Sequence, residues 1–335
     1  MISMMPAKSS EVLIVGAGLI GSAIAWRLAQ AGVAVQLVDA GVMGGEASSA
    51  GAGMLSPGGE FPEHSVWLHL GINGMRMFPS FVEELQKESG VAIDFRICGT
   101  QYFAVSDAER AAARSLAEFH TSFGIRVEIN SKGLFYPEDA SVNPVDLLSA
   151  LRTACERRGV RIVESHPLSS IDAGEFRAVV IAAGAWSGQL SVLSDGRPLA
   201  LPATVPIKGH LIGFDLAPGT LATMLRHHQT YVIQRANGFT IAGSNEQQVG
   251  FDRSIDPAIC EEIQRQAWRL YPALEGLTPS KSWIGFRPRD ASGSGPHMER
   301  VPGTNVWLAY GHYRNGILLA PLTAERISSD IAAQV

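Results

Sequence analysis

The segment Gly16-Ala17-Gly18-Leu19-Ile20-Gly21 spaces three glycines as a backbone wrapped around a pyrophosphate requires. Gly16 would make the tight turn, Gly18 would let the main chain reach the phosphates, and Gly21 would allow a helix to pack closely on its strand. The helix that follows would add N–H groups and the positive end of its dipole. Asp39 stands about 20 residues beyond the turn, where a carboxylate can accept hydrogen bonds from a ribose diol. These residues describe a dinucleotide site and leave nicotinamide and flavin dinucleotides open; an ordinary strand-to-helix turn is the alternative.

Three further segments carry chemistry. Gly44 to Gly59 is rich in small residues and low in charge, as a long loop fitted closely around a ligand would be. Gly311-His312-Tyr313-Arg314-Asn315-Gly316 lies between a predicted strand and a predicted helix. A helix N-terminus beside Arg314 would stabilise negative charge developing near N1 and C2=O of a reduced flavin ring; an internal cap made by Arg314 is the alternative. Arg287, within Trp283-Ile284-Gly285-Phe286-Arg287-Pro288, is a poorly solvated guanidinium whose natural partner is a bidentate carboxylate, from a substrate or from an internal Asp or Glu. Among nine histidines, His64 and His69 are five apart and His227 and His228 adjacent, so helix spacing indicates no metal site. No GxSxG occurs, which leaves hydrolytic chemistry little support.

The elements that would position these residues follow from periodicity and punctuation. Val12 to Val15 reads as a buried parallel strand, Ile20, Ala23, Ile24 and Leu28 as one face of a helix closed by Gly32, and Val33 to Val38 as the next strand. Glu63 to Gly90 reads as helical, Gly99 to Ser106 as a strand, and Asp107 as the cap of a helix running to about Phe123. Pro144 opens a helix with Leu147, Leu148 and Leu151 inward. Val160 to Val163 and Ala178 to Ala183 read as buried strands, the second leading directly into Gly184. From Val205 to Gly243 consecutive strands broken by turns predict an antiparallel sheet; a helix over Ile259 to Leu270, a strand over Val306 to Ala309 and a helix over Ile317 to Ile331 follow. The expected fold class is α/β, α+β overall: a Rossmann-like domain with a parallel sheet (1–75, 138–200 and 288–335) interleaved with a substrate domain on an antiparallel sheet (76–137 and 201–287).

Composition bounds the rest. The 335 residues are 46% hydrophobic and 18% charged, with 35 glycines and a net charge of -5. Such a chain can bury a core for about two domains without disulfides or metals. No Lys/Arg block appears, which argues against a nucleic-acid partner. Three cysteines, Cys98, Cys155 and Cys260, far apart and without a CxxC, suggest reduced, buried thiols and a cytoplasmic location. The uncharged run Val12 to Trp26 is too short to span a bilayer, which takes about 20 apolar residues, so no integral membrane segment is expected. Lys8 and Glu11 ahead of the fingerprint do not form a signal peptide. A homo-oligomer remains open.

The fingerprint, Asp39, Ser48-Ser49-Ala50-Gly51-Ala52-Gly53-Met54-Leu55, the Trp283 to Pro288 segment and His312-Tyr313-Arg314-Asn315-Gly316-Ile317-Leu318-Leu319-Ala320-Pro321 together resemble the bacterial glycine oxidases. These belong to the D-amino-acid oxidase group of FAD-dependent amine oxidoreductases, and the resemblance spans nearly the whole chain. It implies FAD contacts at Gly16, Gly18, Leu19, Ile20 and Gly21 in the first turn, Asp39 and Ala40 at the ribose, and Ala47, Ser48 and Ser49 near the phosphates. Ala52, Gly53 and Met54 would lie beside the isoalloxazine, Leu168 at the adenine, and Gly184 also at the cofactor. His312, Tyr313, Arg314, Asn315, Gly316, Ile317 and Leu318 would wrap the pyrimidine edge of the flavin. Arg287 and Tyr231 would hold the substrate carboxylate, with Arg314 close to flavin and substrate. The chain departs from the family at Arg226, where a second tyrosine can stand; this cation would point either to an acidic substrate or to solvent.

The resemblance implies oxidation of a small α-amino acid, with glycine first, to its imine and then to glyoxylate and ammonia, with O2 reduced to H2O2 and the imine supplying the thiazole ring of thiamine. Within flavin chemistry, sarcosine, proline or D-amino acids are alternative substrates, and a quinone or a partner protein an alternative acceptor. An NAD-dependent dehydrogenase and a flavin-binding subunit inactive by itself are the alternatives from other classes.

Overall fold

A computed structural model of the chain describes residues 11–60 and 65–334; the expectations for Lys8, Glu63 and His64 lie outside the described residues. Six strands form one sheet in the order 297–300, 306–310, 178–181, 12–15, 35–38, 161–163. All pairings are parallel except that of His297–Arg300 with Val306–Tyr310. Burial on both faces explains why Val12-Leu13-Ile14-Val15 is an unbroken apolar run. Val12 and Ile14 pack with Trp26, Leu28, Phe81 and Leu151, whereas Leu13 and Val15 pack with Ile171, Val192 and Tyr310 on the other side. Helices Leu19–Gln30, Val66–Ser89, Pro144–Arg157 and Ala320–Ala332 cover the first face. The chain leaves strand 12–15 toward 35–38 on one side, and strand 178–181 lies on the other. A crevice therefore opens beyond the carboxyl ends of these strands, the place where open α/β sheets bind ligands.

A second sheet of eight strands runs in the order 281–290, 204–215, 239–243, 230–234, 224–227, 100–103, 133–136, 128–130. Its pairings are antiparallel apart from the parallel joint between Met224–His227 and Thr100–Phe103. Alternation divides its faces. Ile212, Phe214, Val232 and Ala242 pack under Ile263, Ala267 and Leu270 of helix Pro257–Leu270. Leu211, Tyr231, Ile233 and Ile241 face the other way, against Ala52.

Several expectations shift. The boundary expected at 75/76 falls inside helix Val66–Ser89, whose Phe78, Phe81, Val82 and Leu85 share the core of the parallel sheet with Leu28 and Leu151. The boundary at 287/288 falls inside strand Lys281–Asp290. Strand Arg161–Val163 is a half-exposed edge rather than a buried strand, and the strand expected over Gly99 to Ser106 is Thr100–Phe103. The tail helix starts at Ala320, because residues 313–315 form a separate single turn of 3-10 helix. Cys155 is buried, Cys98 and Cys260 only partly so, and all three are free thiols. Among the described residues no helix is long and apolar enough to cross a membrane.

Ser106, not Asp107, caps helix Asp107–Ser122: its Oγ accepts from Glu109 N at 3.2 Å, and Glu109 Oε2 accepts from Ser106 N at 2.8 Å. The other oxygen of Glu109 meets Nε2 of His227 at 3.1 Å and of His228 at 2.9 Å. Two histidines without ligand spacing along the chain thus converge on a carboxylate more than a hundred residues away, tying the helix to the hairpin 224–234. Ser106→Ala removes the cap and its reciprocal bond, and should lower the melting temperature by roughly 2 °C in a thermal denaturation measurement.

Candidate active site

The crevice is a cavity of about 710 Å³, within the range of cofactor-sized sites. It runs from Asp39 and Leu168 at one end to Tyr231 and Arg287 at the other. Gly16, at φ +106°, ends strand 12–15 so close to Ala182 that a Cβ there would collide with the Ala182 backbone. Gly18 caps helix Leu19–Gln30, and Ser48 Oγ accepts from Leu19 N at 2.8 Å, bringing the loop 47–53 onto the helix N-terminus. Asp39 accepts from Ala17 N at 2.7 Å and from Gly41 N at 2.8 Å, so backbone donors hold its carboxylate at the cavity wall. The loop 50–54 is tied down from the second sheet: Trp283 Nε1 donates to Ala50 O at 3.0 Å, and buried Arg235 donates to the carbonyls of Ala52 and Val142. A glycine-lined helix N-terminus with an acid at the end of the neighbouring strand fits a dinucleotide, and the lining continues to His312 and Leu318 as a flavin ring would need.

At the far end, alternation on adjacent strands sets the geometry. Gly209 leaves the space that the Arg287 guanidinium occupies, and a Cβ at Gly243 would come within 2.6 Å of the Tyr231 hydroxyl. Arg287 donates to Asn245 O at 3.0 Å and to Ser244 Oγ at 2.7 Å, and among the described residues no carboxylate lies within ion-pair distance of it. Burial, aided by Arg314, lowers its pKa from the usual guanidinium value, while burial raises that of Tyr231. A half-buried guanidinium whose partners are neutral oxygens retains its demand for an anion.

Arg314 is engaged differently. Its Nε donates to Glu60 Oε2 at 2.9 Å and its Nη1 to Glu246 Oε1 at 2.9 Å. Burial opposes its charge, but Glu60 and Glu246 hold its pKa above the ordinary value. Arg226 points inward, only 5% exposed, and donates to the other oxygen of Glu60. Glu60 resists the effect of its own burial through Arg226 and Arg314, which keep its pKa low. His312 is buried, pairs with Thr323 Oγ1 at 2.9 Å, and has its pKa pushed down to about 3 by burial, so it is neutral across the physiological range.

The structure gathers most of the expected residues on this cavity: Gly16, Gly18, Leu19, Ile20, Asp39, Ala40, Ala47, Ser48, Ala52, Gly53, Met54, Leu168, Gly184, Tyr231, Arg287 and 312–318 all line it. Two expected contacts do not. Gly21 lies beneath the turn, where a Cβ would run into Gly16 O, so its part is packing. Ser49 is turned away from Ser48 by the short helix Ala47–Ala50, in which successive side chains point about 100° apart, and donates to Glu46 O at 3.3 Å. The sequence reading missed Glu60, Ser56, Ser244, Gly209 and Gly243. The glycines had a signal, paired small residues inside predicted strands; Glu60 had none.

Two outcomes follow from this geometry. Gly21→Ala should cut the dinucleotide retained per purified chain several-fold and lower the melting temperature, read by cofactor absorbance and thermal unfolding. Asp139, buried behind Ser56, which donates to it, has its pKa pushed up to about 7 by burial. The folded state therefore keeps a proton that the unfolded chain releases, and this contribution to stability is full below about pH 4 and lost as pH rises to about 7. Asp139→Asn should remove that loss, so that urea unfolding at pH 8 favours the variant more than unfolding at pH 4 does; an equal difference at both pH values would contradict it.

Comparison with known proteins adds to the geometry. Residues 11–329 match the family described as DAO, FAD dependent oxidoreductase. The chain is 30% identical to the glycine oxidase of Pseudomonas aeruginosa over 96% of its length and 94% of that protein. It is 32% identical over 97% of its length to the bifunctional protein ThiO/ThiG of Synechocystis sp., of which it spans 52%. The crystal structure of glycine oxidase from Geobacillus kaustophilus superposes with a TM-score of 0.87 at 27% identity, covering 97% of this chain and 95% of that one. The match over nearly all described residues, on a cavity whose lining suits a dinucleotide, decides between the flavin and nicotinamide readings: the chain belongs to the DAO family of FAD-dependent oxidoreductases.

Proposed function

We propose that this enzyme oxidises a small α-amino acid, glycine first, to its imine, which hydrolyses to glyoxylate and ammonia, with O2 as the electron acceptor and H2O2 as the second product. The observation that carries this reading is Arg287, a half-buried guanidinium at the end of the cavity away from Asp39, whose partners among the described residues are neutral oxygens. The glycine oxidases among its relatives support the substrate class, and the ThiO/ThiG name of another supports delivery of the imine to assembly of the thiamine thiazole ring.

Removal of the α-hydrogen as hydride is the chemistry that FAD supplies when bound there. The protein's part is positioning, since a hydride route needs no side-chain base at the α-carbon. Arg287 and the Tyr231 hydroxyl would hold the substrate carboxylate from one wall, Ser244 and Asn245 keeping the guanidinium in place. The positive charge of Arg287 also favours a neutral over a protonated substrate amine, the form that hydride loss requires. His312, neutral and bonded to Thr323, adds no competing charge.

Arg287→Ala should leave a folded, flavin-containing protein whose KM for glycine is raised by about 100-fold, and Tyr231→Phe should raise it by about tenfold, as loss of one neutral hydrogen bond to a carboxylate would. Steady-state peroxide release across glycine, sarcosine, proline and D-alanine checks both the substrate and the acceptor. An unchanged KM in Arg287→Ala, or amine oxidation without peroxide, would overturn the corresponding part of the reading.

A further inference from the structure

We infer that Glu60 determines specificity by occupying two guanidinium groups that would otherwise bind a second substrate carboxylate, which restricts the site to monocarboxylic amino acids. This rests on the proposed function, since it concerns the same substrate end of the cavity.

Three guanidinium groups converge there from distant parts of the chain: Arg226 on strand 224–227, Arg287 on strand 281–290 and Arg314 in the 313–315 turn. Glu60, the last residue of the short helix Pro57–Glu60, lines the cavity and divides its two oxygens between two of them. Oε1 takes Arg226 Nη1, and Oε2 takes Arg314 Nε at 2.9 Å. Arg226 is sealed from behind: its guanidinium lies 5.2 Å from the centre of the Tyr102 ring, and its Nε donates to His228 O at 3.1 Å. Glu60 therefore stands between Arg226 and the cavity. Glu246 takes the remaining edge of Arg314 at 2.9 Å. Two carboxylates thus match two guanidinium groups, and Arg287 is left as the cation without a carboxylate partner among the described residues.

A substrate with one carboxylate meets Arg287 and finds no second opening. A substrate with a further carboxylate would bring it against Glu60, where two like charges in a poorly solvated space repel. The same carboxylate would be attracted if Glu60 were neutral, because buried Arg226 would then lack a carboxylate partner and half-buried Arg314 would keep only Glu246, both facing the space a carboxylate had filled. Arg226 in the place of a tyrosine does not by itself make the enzyme one for acidic substrates, since its charge is already spent on Glu60.

The test measures binding by isothermal titration calorimetry on the FAD-loaded protein, with glycolate as the monocarboxylate and malonate as the dicarboxylate. Glu60→Gln should shift the ratio of the two dissociation constants toward malonate by about tenfold or more, the scale of one additional charge-assisted hydrogen-bonded pair. An unchanged ratio in the folded variant would overturn the proposal. If Glu60→Gln alone does not fold, the double variant Glu60→Gln/Arg226→Met removes the uncompensated buried cation. It frees one edge of Arg314 only, with an expected shift of about threefold, and no shift would overturn the proposal there too. Failure of the functional reading looks different: glycolate would not bind the wild-type protein, or would bind Arg287→Ala equally well, whatever the ratio in the Glu60 variants.

Discussion

Everything at this site depends on backbone meeting backbone at the carboxyl edge of the parallel sheet. Gly16 ends one strand against Ala182 at the end of the next, and Gly21 lies under Gly16 O. A single methyl group at either position would push the helix Leu19–Gln30 off its strand. Because the helix is seated there, its N-terminus faces the crevice, and the loop 47–53 can close on it through Ser48. The second sheet holds that loop from the far side with Trp283 and Arg235. The cleft at the helix N-terminus and the wall bearing Tyr231 and Arg287 are therefore one unit, joined at residues 50–54.

The substrate end follows from a different constraint, the cost of placing charge where water is scarce. Five ionised side chains meet at the end of the cavity away from Asp39, and four of them, Glu60, Glu246, Arg226 and Arg314, satisfy one another. Buried charges need partners, and this pairing leaves Arg287 set apart, held by Ser244 and Asn245 but not neutralised. The glycines at 209 and 243 are the counterpart in shape: they leave room on the sheet for Arg287 and Tyr231 to lie along its face. A carboxylate at Arg287, as proposed for the substrate, would complete the balance of charge.

Local patterns carried much of this into the sequence. The unbroken run 12–15, the spaced glycines and Asp39 are legible because a buried parallel strand, a tight turn and a helix N-terminus each impose residue types over a few positions. The segments around Arg287 and 312–318 are legible as a resemblance, and the structure brings both to the same cavity. Where sequence reading slipped, the decisive factor was geometric: Ser49 is next to Ser48 but more than a quarter of a helical turn away, and residues 313–315 form their own turn before helix Ala320–Ala332 begins. The domain limits expected at 75/76 and 287/288 fall within a continuous helix and a continuous strand, since one long element can serve two layers.

By itself, the sequence determined the spaced-glycine turn and the alternation of α/β and antiparallel segments, and it marked Arg287 as a guanidinium suited to a carboxylate while leaving open whose. Those are properties of neighbours along the chain, where spacing and side-chain type are enough. Only the tertiary structure decided the partners of the charged residues. Arg226 turns inward because Glu60 is there to receive it, Arg314 is shared between Glu60 and Glu246, and His227 and His228 converge on Glu109. Each of these pairs joins residues far apart in the chain, and an ionised side chain takes whichever counter-charge the packing brings within reach, a choice that no local pattern encodes.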